Sequence, residues 1–207
     1  MSTVDFSQLL PPSLITELSY EAIFTKRKES FISLYDASEQ QAVRELLQRE
    51  SEPVVKLLQE NAYLEMLYQA KCNADARSLL LAYAEKSDLD HLALTEYGLT
   101  RLVVTPADNT VIPPVEAVYE SDERLRERCI LSFDGMNTAG SANAYRYFTL
   151  SADGRVDGIK VKSDEATPCF LDIVITQVDS ENGAASEELI QIVQTALDPD
   201  TVRPVGD

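Results

Sequence analysis

Glycine is absent from the first 97 residues of this 207-residue chain, and all seven glycines lie between Gly98 and the C-terminus. Glycine is the residue that sharp turns and bulges most often require, so a long stretch without it favours helices joined by short connections. After Pro11 and Pro12, that stretch contains only one more proline, Pro53. The change in composition predicts two domains, a helical domain over residues 1–97 and an α+β domain over residues 98–207.

Sequence signals predict three helices in the first domain. Ser19, followed by an acidic first turn, predicts a helix ending near Asp36, and the capping-box pattern from Ser38 to Gln41 predicts the start of a second helix. Pro53 suits a first helical turn, so the chain either restarts a helix at Ser51 or bends there. With no further breaker before residue 84, the last helix is expected to run for roughly 32 residues, about 48 Å.

The apolar residues of this long helix do not form a single stripe. At about 100° per residue, one set falls on one side and a second set falls nearly opposite. The first set is Val54, Leu57, Leu58, Leu64 and Tyr68, and the second is Tyr63 and Leu67. Such a helix is either central in its own domain or covered on more than one face by neighbouring chains, and both alternatives stay open.

In the second part of the chain, helices are followed by strands. Ser121 and Ser141 each predict a helix start, and alternating apolar residues over 159–162 and 171–176 predict two paired, half-buried strands. Ser186 then begins a helix with one apolar stripe, so the expected fold class is α+β: an N-terminal all-α region with a long helix, followed by a smaller α+β domain. An extended segment is expected to return to the sheet after this helix, so we expect the second domain to be incomplete at its C-terminus.

The net charge of −17, from 35 acidic against 18 basic residues, restricts the kinds of partner. Because such a charge repels phosphate backbones, nucleic acid is not an expected partner. No apolar run reaches the roughly 18 residues of a membrane helix and no signal-peptide pattern begins the chain, so no membrane partner is expected either. Three widely spaced cysteines, Cys72, Cys129 and Cys169, are expected to be small buried hydrophobes.

The residues that could take part in catalysis or bind a metal are not spaced as they are in the known motifs for such sites. His91 is the only histidine, no nucleophile motif accompanies it, and we interpret it as solvated at a helix terminus. Some aspartates have spacings that could supply oxygen ligands to a hard cation, although turns and caps explain them better; the pairs are Asp88 and Asp90, Asp153 and Asp157, and Asp198 and Asp200. We predict no catalytic, cofactor-binding or metal residues and a protein that is not an enzyme, with a metal-dependent hydrolase as a minor alternative.

Several short segments occur in a characteristic order along the whole chain. The strongest is Glu-Ser-Glu-Pro-Val-Val-Lys-Leu-Leu-Gln-Glu-Asn-Ala-Tyr over residues 50–63. Others are Ala-Asp-Ala-Arg-Ser at 74–78, Ser-Asp-Leu-Asp at 87–90, Ile-Pro-Pro at 112–114, Ser-Ala-Asp-Gly-Arg-Val at 151–156 and Val-Arg-Pro-Val at 202–205. In these segments the chain resembles the J-like baseplate wedge proteins of contractile-tailed phages, whose members continue beyond the position of Val205.

The resemblance implies a structural wedge subunit of the virion tail baseplate, assembled in the host cytoplasm and without cofactors. Two copies, a dimer within each wedge, would join a second baseplate wedge protein through N-terminal helices, and wedges would contact other baseplate and hub proteins. Carried onto this sequence, the bundle would use the helices over 38–84, so the candidate interface is the set Val54, Leu57, Leu58, Leu64 and Tyr68. The alternative is a cytosolic helical adaptor or scaffold protein unrelated to phage tails.

Overall fold

The computed structural model describes residues 17–136, 140–163 and 170–203. Within them the chain has an α+β fold with seven α-helices and two small two-stranded sheets, which confirms the predicted fold class. Contacts divide the chain into two compact units between Tyr83 and Ala84. The domain boundary that composition predicts, at Gly98, lies one helix further along and stays a prediction.

The helical unit contains three helices: α1 (Tyr20–Ser33), α2 (Gln40–Leu46) and α3 (Pro53–Ser78). The Ser19 hydroxyl accepts a hydrogen bond from the N–H of Ala22, as the first-turn pattern predicted. The capping box at Ser38 is wrong, because the N-cap of α2 is Glu39 and no side chain caps it. Pro53 does begin α3.

Helix α3 is 26 residues long and ends at Ser78, so the prediction of a helix continuing to about Ala84 is wrong. The Ser78 hydroxyl donates to the Asp75 carbonyl over 2.9 Å. Such a bond only weakly competes with the helical hydrogen-bond pattern, and neither glycine nor proline marks this end of the helix.

The second unit begins with α4 (Lys86–Tyr97) and continues, in chain order, with β1 (Val103–Thr105), β2 (Val118–Tyr119), α5 (Asp122–Leu131), a short 3-10 helix (Asp134–Met136), α6 (Ala142–Ala152), β3 (Val156–Ser163), β4 (Leu171–Gln177) and α7 (Glu187–Leu197). Gly98 ends α4 with a φ of 66°, the left-handed conformation that glycine adopts without strain. Strands β1 and β2 were not predicted, because three and two residues are too few for an alternation to be recognised.

Serine hydroxyls start the last three helices of this unit, as predicted. Ser121, Ser141 and Ser186 accept hydrogen bonds from the N–H groups three residues ahead, at 3.3, 3.1 and 3.3 Å. A serine N-cap stabilises a helix by about 1 kcal/mol relative to alanine. These caps therefore fix where α5, α6 and α7 begin.

The predicted pair of strands is present, with β3 and β4 antiparallel and Lys160 opposite Val174. Helices α6 and α7 share a buried core with the start of β3. The core residues are Leu131, Leu150, Val156, Leu189 and Val193, and Ile159 and Ile175 of the two strands pack against them. One apolar stripe of α7 thus faces the core, as its sequence predicted.

Candidate assembly surface

Helix α3 buries only one of its three apolar faces inside the helical unit. Val55, Leu58 and Ala62 are buried, and Val55 and Leu58 form a cluster with Leu47 of the connection after α2. Residues of α1, among them Phe24, pack against the same cluster. Burying a leucine side chain completely stabilises a fold by about 1.5–3 kcal/mol, so this face holds the three helices together.

A second face of α3 is apolar and exposed. Leu57, Leu64 and Tyr68 lie within about 20° of one direction around the helix axis at about 100° per residue, roughly 130° from the buried face. Leu57 and Leu64 are 55% and 54% exposed and Tyr68 is 69% exposed. We call these three residues stripe A.

A third face lies on the other side of the buried one. Tyr63 and Leu67 point about 100° away from stripe A and about 130° from the buried face at 100° per residue. Both side chains are about half exposed. We call this pair stripe B, and with it α3 presents apolar residues in three directions, two of which lie outside the described core cluster of the helical unit.

The candidate interface residues therefore divide into two groups. Leu57, Leu64 and Tyr68 lie together on the exposed stripe A. Leu58 is 8% exposed, and Val54 packs against the internal cluster that contains it. On a helical wheel, Val54 and Leu58 lie beside stripe A. Their packing with residues of α1 and α2 shows that they belong to the internal core.

An ion pair braces α3 against α1. Arg27 of the basic Lys26–Lys28 cluster donates from its guanidinium to the Glu65 carboxylate at 2.6 Å. Lys28 lies 4.2 Å from the centre of the Phe24 ring, within the range of a cation–π contact. These contacts of the basic cluster lie inside the helical unit and do not involve the residues of stripes A and B.

The second unit contains a buried charge cluster that the sequence reasoning missed. Glu120 accepts hydrogen bonds from the guanidinium of Arg128 and, at 3.0 Å, from the N–H of Leu102. Its other oxygen lies 3.3 Å from Nε of Arg124, an ion pair without hydrogen-bond geometry. The Glu120 side chain is fully buried. A buried carboxylate needs such partners, because leaving it unpaired costs several kcal/mol, on the order of 3–5.

Two arginines extend this cluster to the neighbouring elements. Arg101 donates to Asp90 at 2.7 Å, to Asp122 at 2.6 Å and to the Glu120 carbonyl at 2.7 Å. Arg124 donates to the carbonyls of residues 150, 153 and 154, and burial lowers the pKa of its guanidinium. The cluster ties α4, α5 and the end of α6 together. A sequence signal existed only for Glu120 and Arg124, whose four-residue spacing suits an ion pair. The contact of Glu120 with Arg128, eight residues away, has no such signal.

One aspartate of each pair considered as cation ligands forms an ion pair with an arginine. Asp90 pairs with Arg101, Asp153 with Arg155 at 3.0 Å, and Asp198 with Arg203 at 2.6 Å. Among the residues that the structure describes, no group of three or more His, Cys, Asp or Glu side chains is arranged to hold a metal ion. The role of Asp88 as a helix cap is wrong, since α4 is capped at Glu85 and Asp88 lies in its first turn.

His91 and two of the cysteines occupy positions that differ in part from those expected. His91 is exposed in the middle of α4, not at a terminus. Cys129 is buried, and burial raises the pKa of its thiol to about 11, so the thiol stays protonated and unreactive at neutral pH. Cys72 is exposed, which corrects the expectation that it is buried. Cys169 lies outside the described residues.

Comparison with known proteins adds the family. A family model described as the Baseplate J-like N-terminal domain matches residues 50–108. The whole chain is 44% identical over 207 residues to Baseplate protein J of Escherichia phage P2, and it covers 67% of the length of that protein. The chain belongs to the J-like baseplate protein family. This membership confirms the predicted resemblance and removes the alternative of an adaptor unrelated to phage tails.

The segment matched by the J-like family model contains the candidate surface. Residues 50–108 include all of α3, with stripes A and B, and all of α4. They also include Asp90 and Arg101, on one side of the buried charge cluster. No described helix of this J-like chain is long and apolar enough to cross a membrane.

Proposed function

We propose that this chain is a non-enzymatic structural subunit of a phage tail baseplate wedge, which assembles with a second copy of itself and with a second baseplate protein around the central hub. The observation that carries the proposal is the 44% identity to Baseplate protein J along the whole chain. Its site of action is the virion tail baseplate, and assembly takes place in the host cytoplasm.

The faces of α3 support an assembly of three chains. In a three-helix bundle of separate chains, each helix needs an apolar seam toward each of two neighbours. Stripe A and stripe B of α3 are two such seams, and its third face is already occupied by α1 and α2. We assign stripe A to the second copy and stripe B to the second baseplate protein.

The distribution of charge supports the helical unit as the part that self-associates. Residues 17–83 carry 8 basic and 11 acidic side chains, a net charge of −3, whereas residues 84–207 carry 10 basic and 23 acidic side chains, a net charge of −13. Like charges facing each other across an interface oppose association. Copies therefore meet with least repulsion through the helical unit.

The substitution Leu64→Glu tests the proposal. A glutamate at this position removes apolar area and adds a charge to stripe A, so we expect self-association to weaken by tenfold or more. The three-chain assembly with the second baseplate protein of the same phage contains this contact between copies and should weaken with it. Mass photometry of the chain alone and of the mixture measures both. Because Leu64 is already 54% exposed, the fold should be little affected, which circular dichroism checks.

Leu94→Glu is the matched control, since Leu94 of α4 is also 54% exposed and lies outside the helical unit. We expect this variant to assemble like the unmodified chain. A chain that remains monomeric with and without the second baseplate protein would refute the proposed assembly, and equal losses in both variants would refute the assignment to α3.

A further inference from the structure

An apolar groove lies between strand β4 and helix α7 in the second unit. Its volume is about 660 Å³. Ile173 and Ile175 of β4 line one side, and Ile190, Val193 and Leu197 of α7 line the other. Helix α7 packs against α6, so it leaves the space beside β4 open. Ala184 and Ala185, beside the end of β4, also line the groove, and Ala184 forms an isolated bridge with Thr176.

The edge of β4 along this groove has free hydrogen-bonding groups. The N–H of Val178 donates to Arg155, at the start of β3, whereas the N–H of Gln177 donates to Gly183 on the other side. Because successive backbone groups of a strand point in opposite directions, the N–H and C=O of Leu171 and Ile173 point away from β3, on the same side as the N–H of Gln177. Both residues line the groove. Among the described residues, no backbone segment bonds to them.

We propose that this groove binds an extended polypeptide segment as a third strand along β4, and that the segment comes from the part of the longer J-like proteins that lies outside these 207 residues. A sheet of two strands is marginal in water, and an exposed apolar edge strand invites pairing with another chain. A third strand would lie about 4.8 Å from β4 and would cover its apolar side chains together with the wall formed by α7.

A strand from the same family protein fits the groove better than a second copy of this unit. The 207 residues match 67% of the phage P2 protein, so about a third of that protein lies outside the match. A second copy would bring another unit with a net charge of −13 against this one. Edge-to-edge pairing of two such units is opposed by like charge.

Amide exchange measured by NMR tests the proposal on the 207-residue chain. The probe is the unmatched third of the phage P2 protein, made as a separate polypeptide and added at saturating concentration. We expect exchange at Leu171 and Ile173 to slow by tenfold or more. Exchange at Asp172 and Val174 should change little, because their N–H groups already face β3. This alternation distinguishes strand addition from general stabilisation.

The variant Ile190→Lys places a charge in the α7 wall of the groove at a residue that is 40% exposed. We expect it to weaken binding of the added polypeptide by tenfold or more, and the control Leu94→Lys to leave binding unchanged.

Absence of protection at saturation, or equal binding by both variants, would overturn the proposal. Protection that appears on concentrating the chain alone would show a second copy in the groove and would also overturn it. Stripes A and B lie in the other unit, so failure here is separate from failure of the assembly proposal.

Discussion

At the level of single residues, burial decides what each ion pair contributes to stability. Glu120 is fully buried beside Arg124 and Arg128, whereas Lys71 and Asp75 on α3 form an exposed pair at 3.4 Å. We expect Glu120→Ala to lower the free energy of unfolding by about 3–5 kcal/mol, because it leaves two arginines without their carboxylate. Urea denaturation followed by circular dichroism measures the change.

Lys71→Ala serves as the comparison for the buried pair. Exposed pairs contribute up to about 1 kcal/mol, because water screens them and the side chains lose entropy on pairing. Comparable losses in both variants would show that Glu120 is not the anchor of the cluster. The sequence contained the four-residue spacing of Glu120 and Arg124 but could not reveal their burial. Glu120 is one of 35 acidic residues, and its removal from water depends on packing between segments that are distant in the sequence.

At the level of elements, two glycines are needed for different reasons. Gly98 is needed for its backbone conformation, and Gly154 is needed because the backbone of β1 lies close to it. At Gly98 an added Cβ would meet nothing within 4 Å, so Gly98→Ala strains only the left-handed backbone at the end of α4, by about 1 kcal/mol. At Gly154 an added Cβ would lie 2.2 Å from the Val103 carbonyl oxygen of β1. We expect Gly154→Ala to lower the thermal unfolding midpoint further than Gly98→Ala does, as differential scanning calorimetry would measure. Equal shifts would mean that β1 moves away without loss.

The elements that the sequence predicted correctly are those with a strong local signal. Serine caps marked the starts of α5, α6 and α7, and Pro53 marked the start of α3. The capping box at Ser38 failed because its pattern is short and a turn over residues 37–39 replaces the expected cap. Strands β1 and β2 depend on backbone pairing between distant segments, which local periodicity does not contain.

At the level of the whole molecule, the sequence predicted which helix carries the candidate surface, but it predicted only some of the residues that form that surface. Apolar residues around α3 predicted that it needs several neighbours. Which residues face those neighbours depends on where α1 and α2 pack, and these helices enclose Leu58 while leaving Leu64 exposed. Periodicity around one helix cannot assign a face to a partner within the chain or to a partner outside it.

The separation of charge from apolar surface also predicts how assembly depends on salt. Most of the net charge of −17 lies in residues 84–207, whereas stripes A and B lie in the nearly neutral helical unit. Raising sodium chloride from about 0.05 to 0.5 M shortens the screening length to below about 10 Å, so repulsion between the acidic units weakens while apolar contacts persist. We expect the self-association constant to rise several-fold, measured by sedimentation equilibrium, and Leu64→Glu to remain weakly associated at both concentrations. A constant that falls with salt would mean that ion pairs hold the copies together, and stripe A would then not be the interface.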